Sequence, residues 1–500
     1  MQMTASPIAV PTTVTDFLSR PVNHLIDGAD APSRSHEQFL TFNPSDGAEL
    51  AHVALGGVAE VDRAVAAARE ALDGPWGRMS GSERSKIIWR VGELIEQKAE
   101  DFAILEALDS GKPATYARAV DIPLAIDWFR YFAGWTTKIE GTTIPVSAVA
   151  TPGNYLAYTV REPIGVVAAV IAWNFPLMLA AWKLAPALAA GNTVVLKPAE
   201  QTPLTATLLG EILREAGIPD GVVNIVHGYG HDVGNALAAH PGVDKISFTG
   251  STEVGKSIIN AARGNLKKVT LELGGKSPNV ICADADLDAA IAGAANAIFF
   301  NQGEACEAGS RLFVEEAVYD RVVEGISAAA AQLTVGDSLS PDSQIGPLVS
   351  QRQLDRVLGY LGSGEAEGAT TVTGGKRKGT VGYFVEPTVL TDVKPSMKVV
   401  TDEIFGPVVA VSSFSDHGEL MKAANDTDYG LAAAVWTSDL SKAHNIAAGF
   451  KAGTVWINSY HVLDPALPFG GYKQSGWGRE HGSSVFEAYT ETKTVIINRG

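Results

Sequence analysis

Cys306 and Glu272 are the residues of the chain that best suit a nucleophile and a base. Cys306 lies in the polar, glycine-containing stretch Asn301-Gln-Gly-Glu-Ala-Cys-Glu-Ala-Gly-Ser-Arg311, which favours an accessible thiol. A free thiol has a pKa of about 8.5, so a nucleophilic cysteine needs a nearby base at neutral pH. The other cysteine, Cys282, lies in the apolar run Asn-Val-Ile-Cys-Ala and is predicted to be a small buried side chain.

Glu272 precedes two glycines at the end of a predicted strand whose alternating apolar residues point to the opposite face. Both faces of a parallel sheet are normally covered, so the Glu272 carboxyl is predicted to be buried. Burial would raise its pKa toward the value that a general base needs. The alternative is a carboxylate paired with Lys268 or Lys276 at a solvated strand end.

The segment Phe248-Thr-Gly-Ser-Thr-Glu-Val-Gly255 joins a predicted strand to a predicted helix and suits phosphate binding. Glycines allow close backbone approach, and a helix N-terminus offers free N–H groups and the positive end of the dipole. Gly250 to Ser257 also match the P-loop pattern Gly-x-x-x-x-Gly-Lys-Ser, and residues 279–284 form an apolar run that ends in Asp. A P-loop ATPase is therefore an alternative from another reaction class.

The segment Val194-Val-Leu-Lys-Pro-Ala-Glu-Gln-Thr-Pro203 closes a strand and opens a helix. Lys197 and Glu200 are predicted to lie where a ribose crosses a dinucleotide-binding sheet. A carboxylate at that place accepts hydrogen bonds from ribose hydroxyls and repels a 2′-phosphate. The alternative is a helix-capping loop with a charge at each end.

The surrounding pattern predicts an α/β fold in which these residues lie at strand ends. Up to about Gly141 the pattern is mostly helical, strands then alternate with helices from Gly165, and a second α/β series follows Asp286. Such alternation is typical of parallel sheets, which bind ligands at the carboxyl ends of their strands. The predicted strands are Gly165–Ala172, Thr193–Leu196, Val222–Val226, Lys245–Phe248, Val269–Leu273 and Leu312–Val314, and the predicted helices are Val58–Leu72, Ser82–Leu108, Leu204–Ala216, Val233–Ala239, Thr252–Ala262, Leu287–Phe300 and Ala317–Leu333.

Two extended, β-branched segments, Gly141–Val160 and Thr490–Ile497, lie outside these series. Edge strands of this kind often pair with another chain, so the two segments are predicted to form an oligomerisation element. The alternative is an ordinary surface hairpin and tail.

Composition narrows the classes of function. The chain has 500 residues, 46% of them hydrophobic and 19% charged, which indicates a globular protein with more than one structural unit. The net charge of −17 disfavours a nucleic-acid or membrane partner. Charged and proline residues interrupt the longest apolar stretch, the N-terminus lacks a signal pattern, and two cysteines make no disulfide framework. These features predict a cytoplasmic protein.

Seven motifs, in order along nearly the whole chain, resemble those of the aldehyde dehydrogenase superfamily. The motifs are Ala172-Trp-Asn-Phe-Pro176, the Lys-Pro-Ala-Glu loop at Lys197, the Phe-Thr-Gly-Ser-Thr turn at Phe248, Leu271-Glu-Leu-Gly-Gly275, the Cys306 loop, Glu403-Ile-Phe-Gly-Pro407 and Pro468-Phe-Gly-Gly-Tyr-Lys-Gln-Ser-Gly476.

The resemblance implies NAD-dependent oxidation of an aldehyde through a thioester on Cys306. Glu272 would be the base for the thiol, the hydrolytic water or both, and Asn174 would bind the oxyanion with the Cys306 backbone N–H. NAD is the implied cofactor, with NADP possible, and no metal is implied. The implied cofactor-binding residues are Trp173, Lys197, Glu200, Gly230, Gly250, Ser251, Gly255, Leu273, Gln353, Glu403 and Phe405.

The implied architecture is a Rossmann-like NAD-binding domain, an α/β catalytic domain and a small β oligomerisation element, assembled as a dimer or tetramer. The NAD-binding domain would comprise residues 1–140 and 161–274, with a helical N-terminal region. The catalytic domain would comprise residues 275–483, and the oligomerisation element residues 141–160 and 484–500.

Among subfamilies, the chain most resembles bacterial phenylacetaldehyde dehydrogenases. Four apolar residues match family positions that line the substrate tunnel, which suits an aryl or other apolar aldehyde; they are Phe175, Trp182, Leu463 and Phe469. The alternatives are a betaine-aldehyde or amino-aldehyde dehydrogenase, and a lens-type structural relative, which is expected to lack the thiol.

Glu307 departs from the family pattern, because relatives usually carry a small, neutral or apolar residue after the nucleophile. A carboxylate at this position is expected to raise the thiol pKa and to favour a cationic amino-aldehyde. The alternative is a side chain that points away from the thiol.

Overall fold

The computed structural model describes residues 7–500, so residues 1–6 of the N-terminus lie outside the described part. The strands are β1 His24–Ile26, β2 Ala29–Ala31, β3 Gln38–Phe42, β4 Glu49–Ala54, β5 Thr143–Ile144, β6 Tyr155–Pro163, β7 Val166–Val170, β8 Thr193–Lys197, β9 Val223–Ile225, β10 Lys245–Thr249, β11 Lys268–Glu272, β12 Pro278–Ile281, β13 Arg311–Glu315, β14 Thr370–Thr373, β15 Thr388–Thr391, β16 Val408–Phe414, β17 Ala432–Trp436, β18 Thr454–Ile457, β19 Gly476–Trp477 and β20 Thr490–Asn498.

The helices are α1 Thr12–Leu18, α2 Val58–Asp73, α3 Pro75–Arg78, α4 Gly81–Gln97, α5 Ala99–Ser110, α6 Ala114–Tyr116, α7 Ile122–Ala133, α8 Pro176–Ala189, α9 Leu204–Ala216, α10 Asn235–Ala239, α11 Thr252–Ala262, α12 Leu287–Phe299, α13 Tyr319–Gln332, α14 Gln351–Glu367, α15 Lys398–Thr401, α16 His417–Asn425, α17 Leu440–Gly449 and α18 Phe486–Tyr489. Short π-helical turns occupy Ala117–Asp121 and Gly230–Gly234.

The first large sheet has eight strands in the order β19-β11-β10-β7-β8-β9-β1-β2. Strands β7 to β11 pair in parallel, while β1 and β19 pair antiparallel with β9 and β11. All five residues of β7 are buried because alternate residues face two separate cores. Val167 and Ala169 pack in one core with α8 and α9, and Val166 and Ala168 pack in the other with α2 and α11.

The second large sheet has seven strands in the order β14-β15-β16-β13-β12-β17-β18. All neighbours pair in parallel except β14, which is antiparallel to β15 at one edge. The two parallel sheets confirm the predicted α/β fold class. The polypeptide passes from the first sheet to the second through the short segment between Glu272 and Pro278, which places the ends of β11 and the start of β12 close together.

The segments outside these series pair with each other. Strand β20 runs antiparallel to β6 from Thr490 opposite Pro163 to Asn498 opposite Tyr155, and β5 adds a third strand. This pairing fits both an oligomerisation element and an ordinary surface hairpin and tail, so the proposed role of the sheet in oligomerisation stays a prediction.

The predicted elements from Gly165 to Leu273 are confirmed, with boundaries within about two residues for most of them. The prediction of a mostly helical N-terminal region is wrong in part, because strands β1 to β4 lie there. These strands are only three to six residues long, and two of them are added to the edge of a sheet formed by distant residues. The predicted helix Ser82–Leu108 is two helices that break at Lys98, where neither glycine nor proline marks the break.

Candidate active site

The Cys306 loop follows α12 through a turn with unusual backbone geometry. Asn301, Gln302 and Gly303 have φ values of 50°, 58° and 72°, the left-handed region that side chains other than glycine rarely adopt. Backbone of this kind persists only where surrounding contacts hold it, and it is common at functional sites. The turn directs the chain back toward β13 and leaves the Cys306 thiol partly buried.

Glu272 ends β11 and is only 4% exposed. Its Oε2 atom has no hydrogen-bond partner among the described residues. Burial raises the pKa of the Glu272 carboxyl well above its usual value, and the nearby charge of Glu480 adds to this increase. The alternative of a solvated pair is wrong, because the Lys268 ammonium binds Glu491 and the Lys276 ammonium donates to the Val399 carbonyl.

Two glycines bring the end of β11 against the cysteine loop. A Cβ atom on Gly275 would lie 2.3 Å from the Cys306 carbonyl oxygen, so only glycine allows this approach. A Cβ atom on Gly274 would lie 2.3 Å from Oε2 of Glu403. The segment after Glu272 therefore contacts both the loop of the thiol and the Glu403 carboxylate.

Asn174 lies directly before α8 and is buried beside the same loop. Its Nδ2 atom donates to the Glu304 carbonyl at 3.0 Å, and the Asn301 amide donates to the Asn174 carbonyl at 3.2 Å. These bonds fix the side-chain amide near Cys306. A side-chain amide carries two N–H groups, so one remains for the oxyanion role that the resemblance implies.

Glu307 points toward the thiol rather than away from it, so that alternative is wrong. The Cys306 Sγ–H donates to Glu307 Oε2 at 3.2 Å, and His461 Nδ1 lies 3.1 Å from Glu307 Oε1. Burial acts to raise the pKa of Glu307, but the hydrogen bonds from His461 and Cys306 outweigh it, and the net pKa is lowered. Burial raises the pKa of Cys306 well above its usual value, and the charge of Glu307 is the next cause.

The predicted ribose and phosphate residues lie at the carboxyl ends of β8 and β10. The Lys197 ammonium is buried and contacts Glu200 Oε2 at 3.3 Å, whereas the Glu200 side chain stays 31% exposed. Ser251 caps the N-terminus of α11 by accepting from the Val254 N–H at 3.3 Å. Leu273 packs so closely on Gly255 that a Cβ atom there would lie 2.7 Å from the leucine.

The remaining predicted cofactor residues meet on the other side of the site. The Trp173 and Phe405 rings pack edge to face with centroids 5.1 Å apart. Gln353 Nε2 donates to the Phe405 carbonyl at 2.6 Å, and Glu403 Oε1 accepts from the Gly275 N–H at 2.9 Å. Burial raises the pKa of the Glu403 carboxyl to about 7.

Three of the four predicted tunnel residues are buried aromatic side chains. Phe175 stacks on Phe300 with centroids 6.1 Å apart, and Trp182 packs against Phe469 at 5.6 Å. Leu463 is partly buried and packs both on the core that contains these three rings and on the Trp456 and Tyr460 cluster. The sequence analysis missed other aromatic neighbours, namely Trp128, Phe300, Tyr460, His461 and His481, because their ring contacts come from separate segments of the chain.

The match to known proteins agrees with this geometry. The model of the aldehyde dehydrogenase family matches residues 31–495. The chain belongs to the aldehyde dehydrogenase family.

Individual relatives cover nearly the whole chain. The mitochondrial benzaldehyde dehydrogenase of Antirrhinum majus is 49% identical over 474 residues, which are 94% of this chain and 88% of the relative. The NAD+ complex of the Bacillus cereus aldehyde dehydrogenase has a TM-score of 0.97 at 46% identity and covers 99% of this chain and 100% of that chain. A P. syringae indole-3-acetaldehyde dehydrogenase mutant in complex with NAD+ and IAA has a TM-score of 0.93 at 45% identity, with coverage of 97% and 98%. This chain is therefore an NAD(P)-dependent aldehyde dehydrogenase with the aldehyde dehydrogenase fold, as the motifs predicted.

In this aldehyde dehydrogenase the P-loop alternative is wrong. Helix α11 begins at Thr252, so Lys256 and Ser257 lie inside the helix and are exposed instead of facing the glycine turn. Lys256 Nζ donates to Gln474 Oε1 at 2.7 Å. The apolar run that resembled a second ATPase motif forms β12, which belongs to the other sheet.

An ionic network that the sequence motifs did not predict lies behind Glu272. The Lys183 ammonium lies 3.0 Å from Glu480 Oε1 and 2.9 Å from Ser247 Oγ, and the Ser247 hydroxyl donates to the same carboxylate oxygen at 2.8 Å. Burial acts to raise the pKa of Glu480, but Lys183 and Lys245 outweigh it and lower the net pKa. The available signal was Lys183 itself, a charged residue within the apolar helix α8.

The second thiol of the aldehyde dehydrogenase is inert by its surroundings. Cys282 is completely buried, as predicted, and burial raises its pKa to about 12.

Across residues 7–500, none of the helices has the length and apolar character needed to cross a membrane.

Proposed function

We propose that the chain oxidises an apolar aldehyde to the carboxylic acid with NAD, through a thioester on Cys306. The observation that carries this proposal is the contact between the Cys306 loop and the segment after Glu272. At Gly275 these backbones approach so closely that no side chain fits between them. A nucleophilic thiol and a buried carboxylate from two different sheets thereby face one site.

After the Cys306 thiol gives its proton to Glu272 or to solvent, the thiolate adds to the aldehyde carbon, so a C–S bond forms and the C=O π bond breaks to leave an alkoxide. The Asn174 amide and the Cys306 backbone N–H stabilise that oxygen, and one such donor is typically worth about 3 kcal/mol. NAD, when bound, accepts the hydride that leaves the tetrahedral carbon. Water then attacks the thioester while Glu272 accepts its proton, which releases the acid and returns the thiol.

The residues around β8 and β10 suit NAD. Glu200 presents a partly exposed carboxylate beside the buried Lys197 ammonium. The carboxylate would accept hydrogen bonds from ribose hydroxyls and repel a 2′-phosphate, and the ammonium would donate to a ribose oxygen. At Gly230 an added Cβ atom would meet nothing within 4 Å, whereas at Gly234 in the same turn it would lie 3.9 Å from Lys197 Cδ. Gly250, Ser251 and Gly255 would then frame the pyrophosphate at the start of α11, and Gln353, Glu403 and Phe405 the nicotinamide ribose.

An aryl aldehyde, such as phenylacetaldehyde, is the proposed substrate class. Phe175, Trp182 and Phe469 offer buried aromatic surface, and the names of two relatives refer to benzaldehyde and indole-3-acetaldehyde. Neither relative is named for phenylacetaldehyde, so that choice rests on local resemblance alone. A cationic amino-aldehyde is less suited, because Glu307 is already engaged by Cys306 and His461.

The domain limits of the sequence analysis and assembly into a dimer or tetramer are proposed as well. Strand β20 lies at the edge of the three-stranded sheet and exposes Ile496 and Ile497, which suits pairing with a second copy. Size-exclusion chromatography with light scattering tests the assembly, and a monomer at micromolar concentration would contradict it.

NADH formation from phenylacetaldehyde, hexanal and betaine aldehyde, with NAD and with NADP, tests the proposed function. Cys306→Ala is expected to lower turnover on the order of 10⁶-fold, the loss typical of removing a nucleophile. Cys282→Ala removes the buried thiol and is the matched control, which is expected to keep its activity. Full activity of Cys306→Ala would refute the thioester route, and a preference for betaine aldehyde would refute the apolar substrate.

A further inference from the structure

Cys306, Glu307 and His461 form a continuous row of hydrogen bonds beside the proposed nucleophile. Glu307 Oε2 accepts the thiol S–H at 3.2 Å, and Oε1 of the same carboxylate lies 3.1 Å from His461 Nδ1. His461 Nε2 lies 3.3 Å from the Asn296 carbonyl oxygen. Both ring nitrogens therefore face acceptor oxygens.

The carboxylate of this row is held firmly in place. Glu307 is 4% exposed, and the Tyr460 hydroxyl donates to its backbone carbonyl at 2.5 Å. The His461 ring packs against Phe300 and Tyr460 with centroid distances of 5.0 and 4.8 Å. Neither oxygen of Glu307 therefore turns toward a passing substrate without breaking a bond to the thiol or to the imidazole.

The order of the three groups determines their effect on the thiol. An imidazolium directly beside a cysteine stabilises the thiolate and lowers the pKa of the thiol. Here the carboxylate stands beside the sulfur and the imidazole stands behind the carboxylate. A neighbouring negative charge and an accepted S–H hydrogen bond both favour the protonated thiol.

We propose that Glu307, aligned by His461, is a positioning residue that keeps the Cys306 thiol protonated and so determines the pH at which the nucleophile forms. This inference rests on the proposed function, because the protonation of the Cys306 thiol affects catalysis only if Cys306 is the nucleophile. Among the described residues, the other titratable groups near the thiol are Glu272 at the end of β11, Glu403 after α15 and the Tyr460 hydroxyl, and all three are acids. Their charges are unchanged in a Glu307 variant, so the variant isolates the effect of this one carboxylate.

The test is the rate at which iodoacetamide alkylates Cys306 in the free enzyme between pH 6 and 11. The thiolate forms the new S–C bond while iodide leaves, so the rate follows the thiolate fraction. Glu307→Gln removes the charge and is expected to lower the apparent thiol pKa by about one unit, which is about tenfold faster alkylation near pH 7. Glu307→Asp restores the charge and is expected to return the profile toward that of the wild type.

Two controls and one replacement variant make the result specific. Cys306→Ala identifies the labelled thiol, since Cys282 is completely buried. Glu316 follows strand β13, and its side chain is exposed. Glu316→Gln removes this exposed charge and is expected to leave the alkylation profile unchanged. Glu307→Thr, checked by its thermal unfolding, replaces the first variant if Glu307→Gln does not fold.

An unchanged alkylation profile in Glu307→Gln would overturn the proposal. Slower alkylation would overturn it too, because it would make Glu307 a base that removes the thiol proton. Failure of the proposed function is distinguishable, since it would appear as NADH formation by Cys306→Ala whatever the alkylation profile.

Discussion

The two buried glutamates near Cys306 share a residue type and a degree of burial, yet their pKa values are shifted in opposite directions. Glu272 and Glu307 are each 4% exposed. Glu272 Oε2 has no partner in the described residues, whereas both oxygens of Glu307 accept hydrogen bonds. Accordingly, the pKa of Glu272 is raised and that of Glu307 is lowered.

This difference shows that, at equal burial, the hydrogen-bond partners of a carboxylate decide the direction in which its pKa is shifted. A carboxylate without donors gains by taking a proton in a low-dielectric site, as the hydrolytic step requires. One that accepts from an imidazole and a thiol is already satisfied and stays ionised. The surroundings of two glutamates close to one sulfur thus push their pKa values apart, as the separate roles proposed for them require.

The largest expected effect comes from replacing the unpartnered carboxylate. Glu272→Gln is expected to slow steady-state turnover by about 10²–10⁴-fold, the usual contribution of a general base. If Glu272 acts on water alone, the first turnover still yields a burst of about one NADH per active site, which rapid mixing measures. Loss of the burst as well would assign Glu272 to the thiol too, and unchanged turnover would break the comparison.

How far the sequence could predict this contrast depends on the range of the contacts involved. The alternating pattern before Glu272 predicted a buried carboxylate, and the alternation of strands and helices predicted the α/β fold, because each signal comes from neighbouring residues in the sequence. The partners of Glu307 and Glu480 could not be predicted, since His461 is 154 residues from Glu307 and Lys183 is 297 residues from Glu480. Strands β1 and β2 escaped prediction because they are short and pair at the edge of a sheet formed by distant residues, whereas β3 and β4 form a separate two-stranded sheet.

A smaller effect is expected from the network behind Glu272. Glu480→Gln removes a negative charge that raises the pKa of Glu272, while the positive charge of Lys183 remains. The pKa of Glu272 is therefore expected to fall by about one unit. Because the deprotonated base then persists to lower pH, the acid limb of thioester hydrolysis should move to lower pH.

The measurement is the rate of the hydrolytic step after the NADH burst, recorded as a function of pH. Glu480→Asp keeps the charge and is the matched control. An acid limb that stays in place or moves to higher pH in Glu480→Gln would show that burial alone raises the pKa of Glu272.

The smallest effect is expected from removing the partner of Glu307 while leaving the carboxylate itself. His461 has a φ of 58°, which glycine adopts without strain, so His461→Gly removes the ring without opposing the backbone. Without that donor, burial is expected to raise the pKa of Glu307, and a partly protonated Glu307 repels the thiolate less. Alkylation of Cys306 near neutral pH should therefore quicken by a few-fold, less than in Glu307→Gln. His461→Asn keeps an N–H donor at a φ that asparagine tolerates and should behave like the wild type, whereas equal rates in all three proteins would mean that burial and Cys306 alone determine the charge of Glu307.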